Sequence, residues 1–346
     1  MTLDQVIKLL KKADPAKVFP ADTATREQRY RELSLVCHPD RNLDRVDEAK
    51  EAFQKLTALY HELTAPKPKT VVKSTKHTYE VDRLLAVGDL ADCYLATGDA
   101  QPRVLKIARH RQDAKLFARE AQVLQQLQGK TDRQEFGHYF PVCLESFAIR
   151  QPGRGVRAIN VLDYRPEFFT LEQVRAKYTD GVEPRHFAWM FNRILGALGY
   201  AHRQKLVHGA VTPAHMLVRA DDDRSGPLHG GILIDWTLSV DDGQKLPIIA
   251  SAYRDWYPPE VFAKKPVNAT LDIYMAAKCG VYLLGGDPKT NQVPKTVPRR
   301  LANFLVACLG QHVATRPTDA WSLHEDFHSV LARVFGERKF HHFSMV

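Results

Sequence analysis

The sequence predicts an α+β chain built in three stretches: an all-α helical hairpin, a small β-rich lobe, and a larger α-rich lobe. Three observations carry this. Up to residue 65 the apolar residues recur at helical spacing. Between residues 78 and 165 most of the short apolar runs read as strands. From residue 166 onward helical patterns dominate. A β-rich lobe followed by a helical one is a layered arrangement in which each element buries one face.

The first helix is LDQVIKLLKK, where Leu3, Val6, Ile7 and Leu10 fall at helical spacing. A Pro-containing loop, DPAKVFPADTA, follows. The second helix is TREQRYRELSLVC, with Thr23 or Thr25 placed to cap its start. Tyr30, Leu33 and Cys37 share one face, and Arg26, Arg29 and Arg31 lie largely elsewhere. It stops at His38-Pro39-Asp40, because the residue before a proline is pushed out of the helical region. The third helix, LDRVDEAKEAFQKLTALYHEL, turns Ala49, Ala52, Phe53, Leu56, Leu59, Tyr60 and Leu63 inward and ends at Ala65-Pro66. Residues 66–77, PKPKTVVKSTKH, carry Lys67, Lys69, Lys73 and Lys76 and no acid, and read as a solvated basic linker.

YEVDRLLAVGDLADCYLAT then reads as a strand, a turn and a strand. RVLKIAR is a third strand, with Val104, Leu105 and Ile107 beside Lys106. DAKLFAREAQVLQQLQ is a helix, and FPVCLESFAIR and VRAINVLDY are two more strands. FTLEQVRAKY, PRHFAWMFNRILGALGYAHRQ, LDIYMAAKCGVYLL and NFLVACL are helices of the last stretch. Residues 337–346 form a tail, in which the adjacent His341 and His342 read as a loose end.

Composition excludes several classes. The chain of 346 residues is 44% hydrophobic and 26% charged, ordinary for a soluble globular protein. No apolar run approaches the roughly 18 residues of a membrane span. The N-terminal helix mixes charges with apolar residues and is no signal peptide, so the expectation is a cytoplasmic protein with no membrane partner. The five cysteines are scattered, odd in number and without a C-x-x-C pair, which argues against disulfides and a zinc site. They read as small apolar core residues. The net charge is +9, but there is no zinc finger, no RNP-like strand and no aromatic stripe among the basic residues, which argues against a nucleic-acid partner.

RYRELSLVCHPDRN followed by EAFQKLTALYHEL resembles the J-domain of the DnaJ co-chaperone family, over residues 1–65. HPD alone is a weak signal; HPD after a basic helix and before a helix of this pattern is a specific one. The resemblance implies a DnaK-type seventy-kilodalton chaperone as partner, whose ATP hydrolysis the HPD loop triggers. Carried over, His38, Pro39 and Asp40 are the trigger, and Arg26, Arg29 and Arg31 help to dock. A rigid proline turn presents His38 and Asp40 at a fixed angle, and basic side chains steer an acidic partner. Two features depart from the family: Glu27 and Glu32 stand among the basic residues, and Val36 occupies a position where lysine is common.

Residues 78–336 resemble the protein-kinase fold, with 78–165 as the N-lobe and 166–336 as the C-lobe. AVGDLADCYLA resembles the glycine-rich loop as A-x-G-x-x-A, in which Gly88 is the surviving middle glycine. Such a loop brings backbone N–H groups over phosphates, which requires little side-chain bulk. Lys106 in VLKIA resembles the strand lysine that holds the α- and β-phosphates, and Glu120 in LFAREAQVL the glutamate that pairs with it. Asp163 and Tyr164 fall at the hinge, where backbone groups hold adenine. GGILIDWTLSV resembles the metal-binding segment, with Asp235-Trp236-Thr237 for D-F-G. Pro259-Glu260 resembles A-P-E, Asp272 and Gly280 match the helix that follows it, and Arg316 matches the arginine that pairs with Glu260, which implies a buried, fold-holding ion pair. The resemblance implies ATP, with Mg2+ held through Asp235.

The catalytic loop departs from its family. KLVHGAVTPAHMLV, residues 205–218, stands where H-R-D-x-x-x-x-N is expected. His208 keeps its place, but Ala210 replaces the aspartate, Thr212 the lysine and His215 the asparagine. Phosphoryl transfer is mostly positioning and charge stabilisation, and an alanine side chain offers neither. Imidazole is a poor ligand for magnesium and suits softer metals. The nucleotide half of the site is therefore present and the transfer half dismantled. The expectation is a pseudokinase that still holds ATP and serves client selection or regulation beside a J-domain that recruits the chaperone. The alternative is an active atypical kinase, targeted by its J-domain to a substrate protein, with His208 or His215 as base. Asp221, Asp222 and Asp223 read as a solvated turn. Gly209 occupies the place of the arginine that reads an activation-loop phosphate, so no such switch is expected.

Overall fold

The structure is a computed structural model that describes residues 1–11, 18–20, 22–64, 70–129, 133–151, 153, 155–221 and 229–345. Two compact units divide the chain: Met1–Ala114 with Phe147–Val161, and Lys115–Ser146 with Leu162–Val346.

The first unit opens with helices α1 (Leu3–Leu10), α2 (Thr23–Val36) and α3 (Val46–Thr64). Thr2 and Gln5 close a reciprocal cap on α1, each side chain accepting the other's backbone N–H, at 2.9 and 3.4 Å. The cap of α2 is Asp22 rather than a threonine. Its carboxylate accepts the Thr25 N–H at 2.8 Å and the Thr25 hydroxyl at 2.6 Å, and so satisfies two donors with one oxygen. The helices bury Leu3, Val6 and Leu10, Leu33 and Cys37, and Ala49, Ala52 and Leu56 on one another, with Val18 and Phe19 from the connecting loop. Phe53, Leu59, Tyr60 and Leu63 flank that core as their spacing predicts, and the Tyr30 and Tyr60 rings stack at 4.1 Å. Each large aliphatic side chain buried this way contributes about 1.5–3 kcal/mol before entropy is counted.

A six-stranded sheet follows, in the order β1-β2-β3-β4-β6-β5. Its strands are β1 (Val71–Lys73), β2 (Thr78–Val87), β3 (Ala91–Gly98), β4 (Gln101–Ala108), β5 (Cys143–Gln151) and β6 (Gly155–Asp163). Part of the segment read as a linker is thus an edge strand: Val71 to Lys73 pair antiparallel with Glu80 to Thr78. Val72 is buried beside Tyr79, Val81, Leu105 and Ile107, and Ser74 closes the turn by accepting the N–H groups of Lys76 and His77 at 3.0 and 2.9 Å. Lys67 and Lys69 lie outside the described residues. Register shifts between Val81 and Arg83 and between Leu84 and Ala86 bend β2 ahead of the turn that carries Gly88.

The second unit holds α4 (Ala114–Leu127), β7 (Phe168–Thr170), α5 (Leu171–Lys177), α6 (Pro184–Arg203), β8 (Leu206–Val207), β9 (Met216–Arg219), β10 (Gly231–Leu233) and β11 (Val240–Asp241). Helices α7 (Ala269–Leu283), α8 (Arg299–Cys308) and α9 (Ala320–Phe335) complete it. The short strands form a β10-β9-β7 sheet and a β11-β8 pair. Gly280 lets α7 pack closely: a Cβ there would stand 2.7 Å from Leu305 and 3.1 Å from Phe187. Glu260 and Arg316 form the expected buried pair, with both terminal guanidinium nitrogens engaged at 2.5 and 3.1 Å. Of the cysteines, Cys37, Cys279 and Cys308 are buried, while Cys93 and Cys143 are half-buried.

The tail corrects the expectation of a loose end. Phe343 is fully buried, with its ring against Tyr178, His186 and Trp189. Its N–H donates to the Asp221 carboxylate at 2.7 Å and its carbonyl accepts the Asp221 N–H at 2.8 Å. Asp221 is therefore an anchor rather than part of a solvated turn; Asp222 and Asp223 lie outside the described residues.

Candidate functional site

Two loops hold many of the candidate residues, one in each unit. In the first, His38 ends α2 in an extended conformation, and Pro39 opens a single turn of 3-10 helix, Pro39–Arg41. The His38 ring accepts the Asp40 N–H at Nδ1, at 3.2 Å, and packs edge-on against Phe53. Asn42 fastens the turn from below by donating to the carbonyls of Val36 and His38, both at 2.9 Å. Sequence reasoning missed Asn42; an amide directly after a proline turn is the signal that finds it. The basic residues are partly matched within their own helix. Arg31 pairs with Glu27 at 2.7 Å and Arg29 lies 3.6 Å from Glu32, while Arg26 donates to the Pro20 carbonyl at 2.9 Å.

In the second unit Asp272, on α7, organises the loop that holds Ala210. Its buried carboxylate accepts the His208 N–H at 2.7 Å and the Gly209 N–H at 2.9 Å, and meets His202 Nε2 at 2.9 Å. Gly209 has φ +76°, and a Cβ there would stand 2.9 Å from the Leu238 carbonyl, so only glycine fits. Its carbonyl accepts the Tyr257 hydroxyl at 3.0 Å.

Both histidines of the loop are held in place. His208 is fully buried; its Nδ1 accepts the Ala210 N–H at 3.2 Å and its Nε2 donates to the Ile234 carbonyl at 3.0 Å. Both nitrogens are engaged as those of a neutral ring, and burial pushes its pKa down to about 4. Ala210 and Thr212 are also fully buried. His215 is partly open, and its Nδ1 meets the Ala210 carbonyl at 2.8 Å. A carbonyl only accepts, so Nδ1 carries the proton. That leaves Nε2 facing Asp235 Oδ2 at 3.6 Å.

Asp235 adopts the left-handed conformation, φ 62° and ψ 73°, which is uncommon outside glycine. Its Oδ1 accepts both the hydroxyl and the N–H of Thr237. The next residue holds it there. Trp236 is fully buried, donates from its indole to the Leu233 carbonyl at 3.0 Å, and packs against Phe140 and His208. The Trp236 N–H donates to Glu120 Oε1 at 3.1 Å, so the glutamate of α4 is tied to this segment.

The remaining predicted residues are placed as follows. Gly88 closes the β2–β3 turn by donating to the Ala91 carbonyl at 2.8 Å, and its own carbonyl accepts from Arg109 at 2.8 Å. Lys106 is buried on β4 in the first unit. Asp163 gives its carboxylate to the Val142 N–H and to Arg165, both at 2.6 Å, and its N–H to the Val142 carbonyl. Tyr164 is next in the chain.

The donor set fits a divalent ion held jointly with phosphate oxygens. Among the described residues no group of three or more His, Cys, Asp and Glu side chains forms a metal cage. At this place Asp235 offers a carboxylate and His215 an imidazole, and a metal shared with a nucleotide takes its other ligands from phosphates and water.

These features define a J-domain followed by a protein-kinase-like fold. Residues 20–71 match the DnaJ domain family. The fold is similar to the kinase domain of PknI from Mycobacterium tuberculosis, with TM-score 0.54 and 18% identity over 77% of this chain and 98% of that one. It is also similar to the BubR1 kinase domain, with TM-score 0.57 and 16% identity over 77% and 84%. A stretch of 98 residues is 34% identical to serine/threonine-protein kinase B of Synechocystis sp.. That stretch is 27% of this chain and spans only 17% of the relative's length. No described helix is long and apolar enough to cross a membrane.

Proposed function

We propose that this chain is a cytoplasmic J-domain co-chaperone whose kinase-like part holds a nucleotide without transferring its phosphate. The reading assigns His38, Pro39 and Asp40 to triggering a DnaK-type chaperone, and Arg26, Arg29 and Arg31 to docking on it. It assigns Gly88, Lys106, Glu120, Asp163, Tyr164 and Asp235 to the nucleotide. The kinase-like part selects a client protein or regulates the J-domain according to nucleotide state.

One observation carries the loss of transfer. The place of the proton acceptor is a buried methyl group, Ala210, and the adjacent imidazole, His208, has both nitrogens engaged and its pKa pushed down to about 4. Neither takes a proton from a substrate hydroxyl at neutral pH. A bound divalent ion would neutralise phosphate charge. Asp235 and His215 would hold it, and Thr237 and Trp236 keep the Asp235 carboxylate at its angle. On the J-domain side, Asn42 holds the His38 carbonyl, while Phe53 and the Asp40 N–H hold its ring, which supports a trigger that is ordered before docking.

A second reading has one observation in its favour: His215 is partly open, with Nε2 beside a carboxylate, as a base would be. The test separates them. The full chain is mixed with a DnaK-type chaperone and ATP, and hydrolysis and label transfer from the γ-phosphate are followed together. Chaperone hydrolysis should rise, fall back to its basal rate with His38→Gln, and occur without protein labelling. Labelling that is lost in both His215→Ala and Asp235→Ala would replace the proposal with an atypical kinase.

A further inference from the structure

We propose that His215 Nε2 and the Asp235 carboxylate form a mixed nitrogen–oxygen site for a transition-metal ion of the manganese-to-zinc kind, which binds with the phosphates of a nucleotide in preference to magnesium. The inference rests on the nucleotide-holding reading and names the ion that reading needs.

Four features place the pair. The Ala210 carbonyl takes the Nδ1 proton at 2.8 Å, which fixes the ring with Nε2 on the side of Asp235. A histidine that binds a metal typically donates its other N–H in this way. The 3.6 Å between Nε2 and Oδ2 is too long for a good hydrogen bond. It suits two donors that each stand roughly 2.0–2.2 Å from one ion between them. Both groups are rigid: Trp236 and Thr237 hold Asp235, and the Ile234 N–H donates to the His215 carbonyl at 2.8 Å. Both remain reachable, with side chains 19% and 28% exposed.

The choice of ion follows from the donors. Magnesium demands oxygen ligands and sheds water reluctantly. Manganese, cobalt and zinc accept imidazole, with affinity that rises along the first-row series toward copper. Ala210 adds no carboxylate that would restore an all-oxygen site, so the nitrogen decides. Asp272 is no substitute, because both its oxygens accept backbone N–H groups of the loop.

The test is electron spin-echo spectroscopy of Mn2+ on the tag-free chain, carrying 15N-labelled histidine so that adenine nitrogen is not mistaken for imidazole. The His324→Ala substitution removes a competing pair, since the His324 and His328 rings lie 4.6 Å apart one turn from each other on α9. Spectra are taken with Mn2+ alone and with a non-hydrolysable ATP analogue, and analogue affinity is measured in Mn2+ and in Mg2+.

The expected result is a 15N coupling that His215→Ala abolishes, and analogue binding tighter in Mn2+ than in Mg2+. His215→Asn should erase at least about tenfold of that preference, the scale on which even outer-shell partners count. Unchanged melting of both His215 variants shows that the loss is local. Bound Mn2+ without the coupling overturns the proposal, and so does equal affinity in the two metals. Coupling with Mn2+ alone, but no analogue binding in any metal, keeps the site and removes the nucleotide reading. No Mn2+ binding under either condition removes the site. Analogue binding in Mg2+ alone would then keep the nucleotide reading.

Discussion

A histidine sealed at the centre of a loop predicts a molecule sensitive to acid. His208 is fully buried and its pKa is pushed down to about 4, by burial first, against the pull of the Asp272 carboxylate; His215 and Asp235 also face it. In the unfolded chain the same ring titrates near 6.5. As pH falls below about 6.5 the unfolded state takes up the proton first, so stability is complete above that value and is lost as pH falls toward about 4. The loss from this residue is on the order of 3 kcal/mol. His324, also pushed down to about 4 by burial, acts in the same direction. Melting temperature followed from pH 7 to pH 4.5 should fall more steeply for the native chain than for His208→Gln. The glutamine amide keeps a donor for Ile234 and an acceptor for Ala210 but does not titrate. Equal slopes would place the acid sensitivity elsewhere. The loop's spelling was legible in the sequence, and so was the Glu260–Arg316 pair. The state of His208 was not, because it depends on Ala210 and Ile234 supplying one donor and one acceptor from two separate segments.

Elements with a strong period were readable and short ones were not. Helices α1 to α3 and strands β2 to β4 follow their apolar spacing closely. Strand β1 is three residues set among lysines and has no period to show; the β2 edge recruits it. Helix α9 buries Ala320, Leu323 and Phe327 at helical spacing. The tail is the clearest case, since Phe343 is the one buried side chain among its described residues. Phe343 fills a space between Tyr178, His186 and Trp189, and Tyr178 donates from its hydroxyl to the Ser344 carbonyl at 2.7 Å. Removing a buried phenylalanine costs about 3–5 kcal/mol when the site does not collapse. Phe343→Ala should therefore lower the unfolding free energy of the second unit by about 3 kcal/mol, read as a shift in urea midpoint at constant slope, and Phe343→Leu should recover most of it. A change below about 0.5 kcal/mol, the range of ordinary surface substitutions, would return the tail to the loose end its sequence suggests.

Across the whole chain, the least legible contact ties the J-domain to the sheet within the first unit. His61, on the last turn of α3, is buried, with Nδ1 3.5 Å from Asp92 on β3. The Arg109 guanidinium hydrogen-bonds His61 Nε2, stands 3.5 Å from Asp92 and donates to the Gly88 carbonyl at 2.8 Å. Arg157 approaches the same carboxylate at 3.9 Å. A buried carboxylate faced by two guanidiniums is costly to break, because removing one partner strands the other charges. No local pattern announces this cluster: its members come from one helix, two strands and the residue that follows β4, and each alone reads as an ordinary polar residue. Its consequence is a mechanical link. The helix that follows the HPD loop and the turn that carries Gly88 share Arg109 through one side chain. His61→Ala removes the J-domain end of that link and leaves Asp92, Arg109 and Arg157 in place. Hydrogen exchange should then rise by about tenfold both in the last turn of α3 and at the Gly88 and Ala91 amides, which corresponds to about 1.4 kcal/mol of lost protection at each. Faster exchange in α3 with an unchanged Gly88 turn would show that Arg109 holds the turn without help from the J-domain, and would remove the link between the two.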